Sequence, residues 1–139
     1  MKKIIFLTAT RADYGKLKKI IISTQKLKNF KAYVFVTGMH NLKGYGNTYK
    51  QIETDKIKNV TRFFNQSIGD DHSKVLSKTA IGFSKYLKTI KPDLVVVHGD
   101  RIEPLACSIV CCLNNIKIAH FEGGEISGTV DEIFRHSIS

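Results

Sequence analysis

No apolar run in this chain approaches the ~20 residues of a membrane-spanning helix. The run nearest the start, Ile4 to Leu7, is too short for the core of a secretion signal. Both absences point to the cytoplasm. Cysteine is scarce, with Cys107, Cys111 and Cys112 the three present. They form no C-x-x-C pair, and no His follows at zinc-finger spacing, so no metal site is expected. In the apolar run Leu105 to Leu113 they read as small core residues. Their odd number fits a reducing compartment. Two phosphate-binding signatures are missing as well: G-x-G-x-x-G after the first strand, and G-x-x-x-x-G-K-[ST]. That argues against a dinucleotide-binding Rossmann site and against a P-loop NTPase. Ser127 lies in no nucleophile-elbow context. The chain has no internal repeat and no low-complexity segment.

Acidic residues are few where basic ones are many. Residues 1–91 hold 19 Lys/Arg against 5 Asp/Glu, whereas residues 92–139 hold 3 against 7. The overall net charge is +10. A basic segment suits an anionic partner. Most of this charge is Lys scattered along predicted helix faces, the pattern of a solvated surface rather than a nucleic-acid patch. Arginine occurs at positions 11, 62, 101 and 135 only. Its guanidinium fork suits bidentate phosphate or carboxylate contacts, so these four carry more information than the lysines.

With 139 residues, 42% hydrophobic and 24% charged, the chain reads as one globular domain. Short β-rich runs alternate with amphipathic ones. Lys3–Thr8, Tyr33–Thr37, Asn59–Phe64, Leu94–His98 and Ile116–Phe121 read as strands. Helices are expected over Tyr14 to Leu27 with Asp13 as N-cap, over Asn47 to Lys56, over Asp71 to Ile90 and from Arg101 to Leu113. Leu76, Ala80, Phe83, Leu87 and Ile90 mark the apolar stripe of the third helix. Gly38 to Gly46 and Glu122 to Gly128 read as loops, with a further helix from Val130. The last of these is still open at Ser139, which suggests a domain cut inside its final helix. Strand–helix alternation predicts an α/β fold, a doubly wound parallel sheet.

Ligands of such sheets bind at the carboxyl ends of the strands. The loops there hold Thr10, Arg11 and Asp13, then Gly38 and His40, then Gly99, Asp100 and Arg101, then Glu122, Gly123, Gly124 and Asp131. Arg11 leads into a helix start, where backbone N–H groups and the dipole favour an anion. The alternative for Arg11 is a surface ion pair with Asp13. Asp100, Glu122 and Asp131 are three carboxylates on neighbouring loop ends. Crowding splits the pKa values of such groups, so that one serves as base while another keeps its proton. Helix capping is the alternative for Asp100 and Asp131. His98 and His120 end their strands and read as satisfied core or edge residues.

The segments Thr8-Ala-Thr-Arg-Ala-Asp-Tyr-Gly15, Thr37-Gly-Met-His40, His98-Gly-Asp-Arg101 and Phe121-Glu-Gly-Gly-Glu-Ile-Ser-Gly-Thr-Val-Asp131, then Arg135-His136, resemble the hydrolysing UDP-N-acetylglucosamine 2-epimerases. The likeness runs from Ile4 to the last residue. Non-hydrolysing relatives typically carry Thr-Arg-Pro-Glu in the first loop and Glu-Ala-Gly at the position of Glu122-Gly-Gly.

The resemblance implies one half of a two-domain GT-B arrangement, with this chain as its N-terminal Rossmann-like domain and the C-terminal nucleotide-binding domain absent. It implies conversion of UDP-N-acetylglucosamine and water to N-acetylmannosamine and UDP in sialic-acid-type biosynthesis, or the same reaction on a related diacetamido-trideoxyhexose. No cofactor and no metal are required. Asp100, Glu122 and Asp131 match the family's catalytic carboxylates, with the individual roles unassigned. Arg11, His40 and Arg101 match substrate-contacting positions. Asp13, Gly123, Gly124, Arg135 and His136 match supporting ones. The implied partners are a UDP-sugar substrate, the second domain and a further copy of the chain in a homo-oligomer, with no membrane and no nucleic acid. A basic anion-binding module without catalysis is the competing class.

Overall fold

A computed structural model describes residues 1–38, 48–65 and 69–121. Strands β1 (Lys2–Thr8), β2 (Phe30–Val36), β3 (Val60–Arg62), β4 (Leu94–His98) and β5 (Lys117–Phe121) alternate with helices α1 (Arg11–Gln25), α2 (Thr48–Thr54), α3 (His72–Ile90) and α4 (Ile102–Leu113). The strands form one sheet in the order β3-β2-β1-β4-β5, and all the pairings are parallel. This is the doubly wound Rossmann-like sheet the alternation predicts.

Side-chain alternation along the strands separates two cores. Ile5, Leu7, Phe35, Val95 and Val97 pack on one face with Phe83 and Leu87 of α3 and Cys107, Val110 and Cys111 of α4. Phe6, Ala32, Val34, Val36 and Val96 pack on the other with Tyr14, Leu17 and Ile21 of α1 and Ile52 of α2. Burying a large apolar side chain stabilises by about 1.5–3 kcal/mol, so each helix is held by its apolar stripe. Cys107 and Cys111 are core residues as expected, and burial pushes the Cys111 thiol up to about 12. Cys112 departs from that expectation and is exposed, because it falls one step round the helix from Cys111. No helix among the described residues is long and apolar enough to cross a membrane.

Two helix assignments need correction. The N-cap of α1 is Thr10, not Asp13, and the helix starts at Arg11. Asp13 is the third helical residue and completes a capping box, in which Thr10 Oγ1 accepts from Asp13 N–H and the Asp13 carboxylate accepts from Thr10 N–H. In α3 the buried line is Val75, Thr79, Phe83 and Leu87, while Leu76, Ala80 and Ile90 are half-buried. Lys91 closes α3 in a left-handed conformation ahead of Pro92.

Candidate active site

The strand order reverses between β1 and β4. In an open parallel sheet the crevice at the carboxyl ends of such a pair is the ligand position. Three connections meet there: β1 to α1, β4 to α4, and the end of β2.

The first connection is locked by Asp13. Its Oδ2 accepts from Ala9 N–H and Thr10 N–H, both at 3.0 Å. Its Oδ1 lies 2.7 Å from His98 Nδ1. Both side chains are buried. Hydrogen bonding to Asp13 puts the proton of neutral His98 on Nδ1. The geometry also answers the alternative for Arg11. Asp13 is no surface partner: its oxygens serve Ala9, Thr10 and His98, and Arg11 is exposed in the first turn. Much of the helix start is satisfied by the chain's own Thr10 and Asp13, so an anion there would be met chiefly by the Arg11 fork.

The second connection is a tight turn. Gly99 adopts φ +79, a conformation suited to glycine. It is tied to β5 twice, by Gly99 N–H donating to Phe121 O at 2.9 Å and by His120 Nε2 at 2.6 Å from Gly99 O. Asp100 follows, partly exposed, and Arg101 occupies the N-cap position of α4 without a side-chain cap bond. Asp100 is therefore not the cap of this helix, and its capping alternative falls.

The third connection is the most crowded. Gly38 has φ +64, and a Cβ added there would lie 2.7 Å from Glu103 Oε1 and 2.8 Å from both Ala9 Cβ and Ala9 O. Its N–H donates to Asn65 Oδ1 at 2.9 Å, and Asn65 Nδ2 donates to Thr79 Oγ1 at 2.8 Å. This buried chain ties the end of β2 to α3. Glu103, in the first turn of α4, is fully buried. Burial pushes its carboxyl up, and the Arg101 charge opposes that shift.

The structure thus brings Arg11, Asp13, Asp100 and Arg101 to the strand ends on either side of the reversal. His40, Glu122, Gly123, Gly124, Asp131, Arg135 and His136 lie outside the described residues. Sequence reasoning passed over four groups that build this region. His98 and His120 read as satisfied residues, and each has a ring nitrogen bonded to a turn: His98 Nδ1 to Asp13, and His120 Nε2 to Gly99 O beside Asp100. Asn65 and Glu103 drew no attention. The only prior signal for Glu103 is its place two residues after Arg101.

Comparison with known proteins gives a consistent picture. The sequence model of the UDP-N-acetylglucosamine 2-epimerase family matches residues 23–139. A UDP-N-acetylglucosamine 2-epimerase of Neisseria meningitidis is 42% identical over 139 residues, covering 100% of this chain and 37% of its own length. A hydrolysing UDP-N,N'-diacetylbacillosamine 2-epimerase of Legionella pneumophila is 37% identical over 142 residues, covering 100% of this chain and 38% of its own length. The crystal structure of Methanocaldococcus jannaschii UDP-GlcNAc 2-epimerase in complex with UDP-GlcNAc and UDP superposes with a TM-score of 0.82 at 29% identity, over 99% of this chain and 38% of that one. The chain therefore spans between a third and two-fifths of the length of these relatives.

Proposed function

The chain belongs to the UDP-N-acetylglucosamine 2-epimerase family, and on that premise we propose that it is the N-terminal Rossmann-like part of a hydrolysing 2-epimerase of GT-B architecture. The proposed reaction takes UDP-N-acetylglucosamine and water to N-acetylmannosamine and UDP, for sialic-acid-type sugar biosynthesis. A second domain completes the cleft and supplies most of the uridine pocket.

The chemistry needs three things from this chain. A carboxylate removes the C2 proton as the C1–O bond to UDP breaks, which leaves a glycal. The departing diphosphate needs positive charge, the part given to Arg11 and Arg101. Water then adds its OH to C1 while a proton returns to C2 from the opposite face, with inversion there. Asp100, Glu122 and Asp131 are the proposed carboxylates, and His40 a further substrate contact. Asp13, Gly123, Gly124, Arg135 and His136 support the site. None of these steps calls for a nicotinamide or a metal.

One observation supports this reading above the others. Asp100 and Arg101 sit together on the turn beyond β4, opposite the start of α1 that carries Arg11. A carboxylate and two guanidinium groups there match an elimination that expels an anion.

The diacetylbacillosamine activity of the Legionella relative makes the related UDP-sugar the second substrate to assay. The test is UDP release and amino-sugar formation from both substrates by the full-length protein. Asp100→Asn, Glu122→Gln and Asp131→Asn are expected to lower kcat by about 10²–10⁴-fold, the usual worth of a positioned acid or base. Unchanged turnover in all three would overturn the carboxylate assignment.

A further inference from the structure

A glutamate in the first turn of a helix ordinarily faces water and complements the helix dipole. Glu103 is turned inward instead. It is 0% exposed, and neither carboxylate oxygen has a hydrogen-bond partner among the described residues. Oε1 fills the space where a side chain on Gly38 would begin. Oε2 lies 3.5 Å from Arg101 Nε. That nitrogen is also buried without a hydrogen-bond partner among the described residues. Yet the Arg101 side chain as a whole is 36% exposed, so its exposure lies elsewhere along its length.

A buried carboxyl group and a buried Nε, neither with a hydrogen-bond partner among the described residues, therefore face one another. Their separation is that of an ion pair without a directed hydrogen bond, and Asp13 stands near Glu103 as a like charge. A buried ion pair is weak evidence for stability, since apolar residues of the same volume often fill such a site at less cost. The arrangement does have a geometric effect. A carboxyl oxygen fixed behind Nε at the end of β2 restrains a long and otherwise mobile side chain, and loss of side-chain freedom is a main cost of binding.

We propose that Glu103 is a positioning residue, whose buried carboxylate holds the rear of the Arg101 guanidinium so that its outer edge meets a phosphate of the nucleotide at the sheet's switch point. The proposal rests on the reading of Arg101 as a substrate contact, and the experiment separates the two.

The probe is UDP, titrated by calorimetry into the full-length protein and its Glu103→Gln, Glu103→Asp, Arg101→Gln and Glu103→Gln/Arg101→Gln variants. Thermal melting is recorded for each, and KM and kcat for UDP-N-acetylglucosamine are measured alongside. Glu103→Gln is expected to weaken UDP binding by about tenfold, in the range of one hydrogen bond to a charged group. KM rises with it while kcat holds. Glu103→Asp keeps the charge and recovers part of the loss. In the Arg101→Gln background, Glu103→Gln changes binding no further. Its Tm rises rather than falls, because an amide is cheaper to bury there than a carboxylate. A merely structural glutamate would give the opposite sign.

Three results overturn the proposal: a Glu103→Gln protein that binds UDP like the wild type, one that melts lower or fails to fold, or losses that add in the double variant. A wild-type protein that does not bind UDP overturns the reading of Arg101, and the proposal with it.

Discussion

His98 Nδ1 lies 2.7 Å from Asp13 Oδ1, joining the end of β4 to the first turn of α1 across 85 residues of sequence. The same carboxylate closes the α1 capping box and accepts from Ala9 N–H. One side chain thus sets the relative position of the two loops that flank the strand-order reversal. Asp13→Ala should cost about 2–4 kcal/mol, from the lost cap and a buried imidazole left short of a partner. Urea unfolding of Asp13→Ala, His98→Ala and the double variant checks this. The double variant should be less destabilised than the two single losses added together, by about 0.5–3 kcal/mol. Additive losses would show that the pair is not coupled.

Gly38 predicts a second vulnerability. Its φ is +64, and an added Cβ would press on Glu103 Oε1 and on Ala9, the residue that follows β1. Two of the three nearest atoms belong to Ala9, one of them backbone, so relief requires β1 and β2 to part. Gly38→Ala should lose about 1–3 kcal/mol, the scale of a strained backbone conformation, with the close contacts adding to it. Equilibrium denaturation reads the loss directly. A variant as stable as the wild type would contradict the described conformation at the end of β2.

The bond from Tyr14 Oη to Asp55 Oδ2, which pins α1 to the end of α2, gives a pH prediction. Burial, then the hydrogen bond to Asp55, holds the Tyr14 hydroxyl above its ordinary 10.0. Desolvation pushes Asp55 up, but hydrogen bonds from Tyr14, Lys18 and Gln51 outweigh it and leave the carboxyl below its ordinary 3.8. The lowered Asp55 value adds stability that is present above pH 3.8 and is lost as pH falls through the folded value. The raised Tyr14 value adds stability that is present below pH 10.0 and is lost as pH rises through the folded value. Tyr14→Phe should remove about 0.5–1.5 kcal/mol at neutral pH and flatten both limbs. Melting curves from pH 3 to pH 11 test it. Parallel curves for variant and wild type would show that the bond carries no pH-dependent stability.

Much of this fold is legible in the sequence because apolar runs and periodicity are local signals. Leu94-Val-Val-Val-His98 forms β4 at the expected bounds, and α3 ends at Ile90 as expected and starts at His72, one residue after the expected Asp71, which is its N-cap. The legible part of the site is its place: the Arg11, Asp100 and Arg101 loops do meet at the reversal. What stays hidden is hydrogen bonding over long sequence distance. Thr79 is buried although polar, because its hydroxyl is satisfied by Asn65 Nδ2 and by Val75 O at 2.7 Å, which no hydropathy pattern records. Asp13 resembles a cap by type and proximity to the helix. Its position as third helical residue follows only from Thr10 taking the capping role. Glu103 looks like an ordinary first-turn acid until the packing of α4 against Gly38 is seen.

The central claim is that the protein breaks the C2–H bond of a UDP-sugar and eliminates UDP. Turnover of UDP-N-acetylglucosamine in D₂O by the full-length protein tests this most directly, with the amino sugar read by mass spectrometry and proton NMR. The account predicts N-acetylmannosamine carrying one non-exchangeable deuterium at C2, with UDP released in equal amount. An amino sugar that keeps its original hydrogen at C2, or UDP released together with unepimerised N-acetylglucosamine, would contradict it.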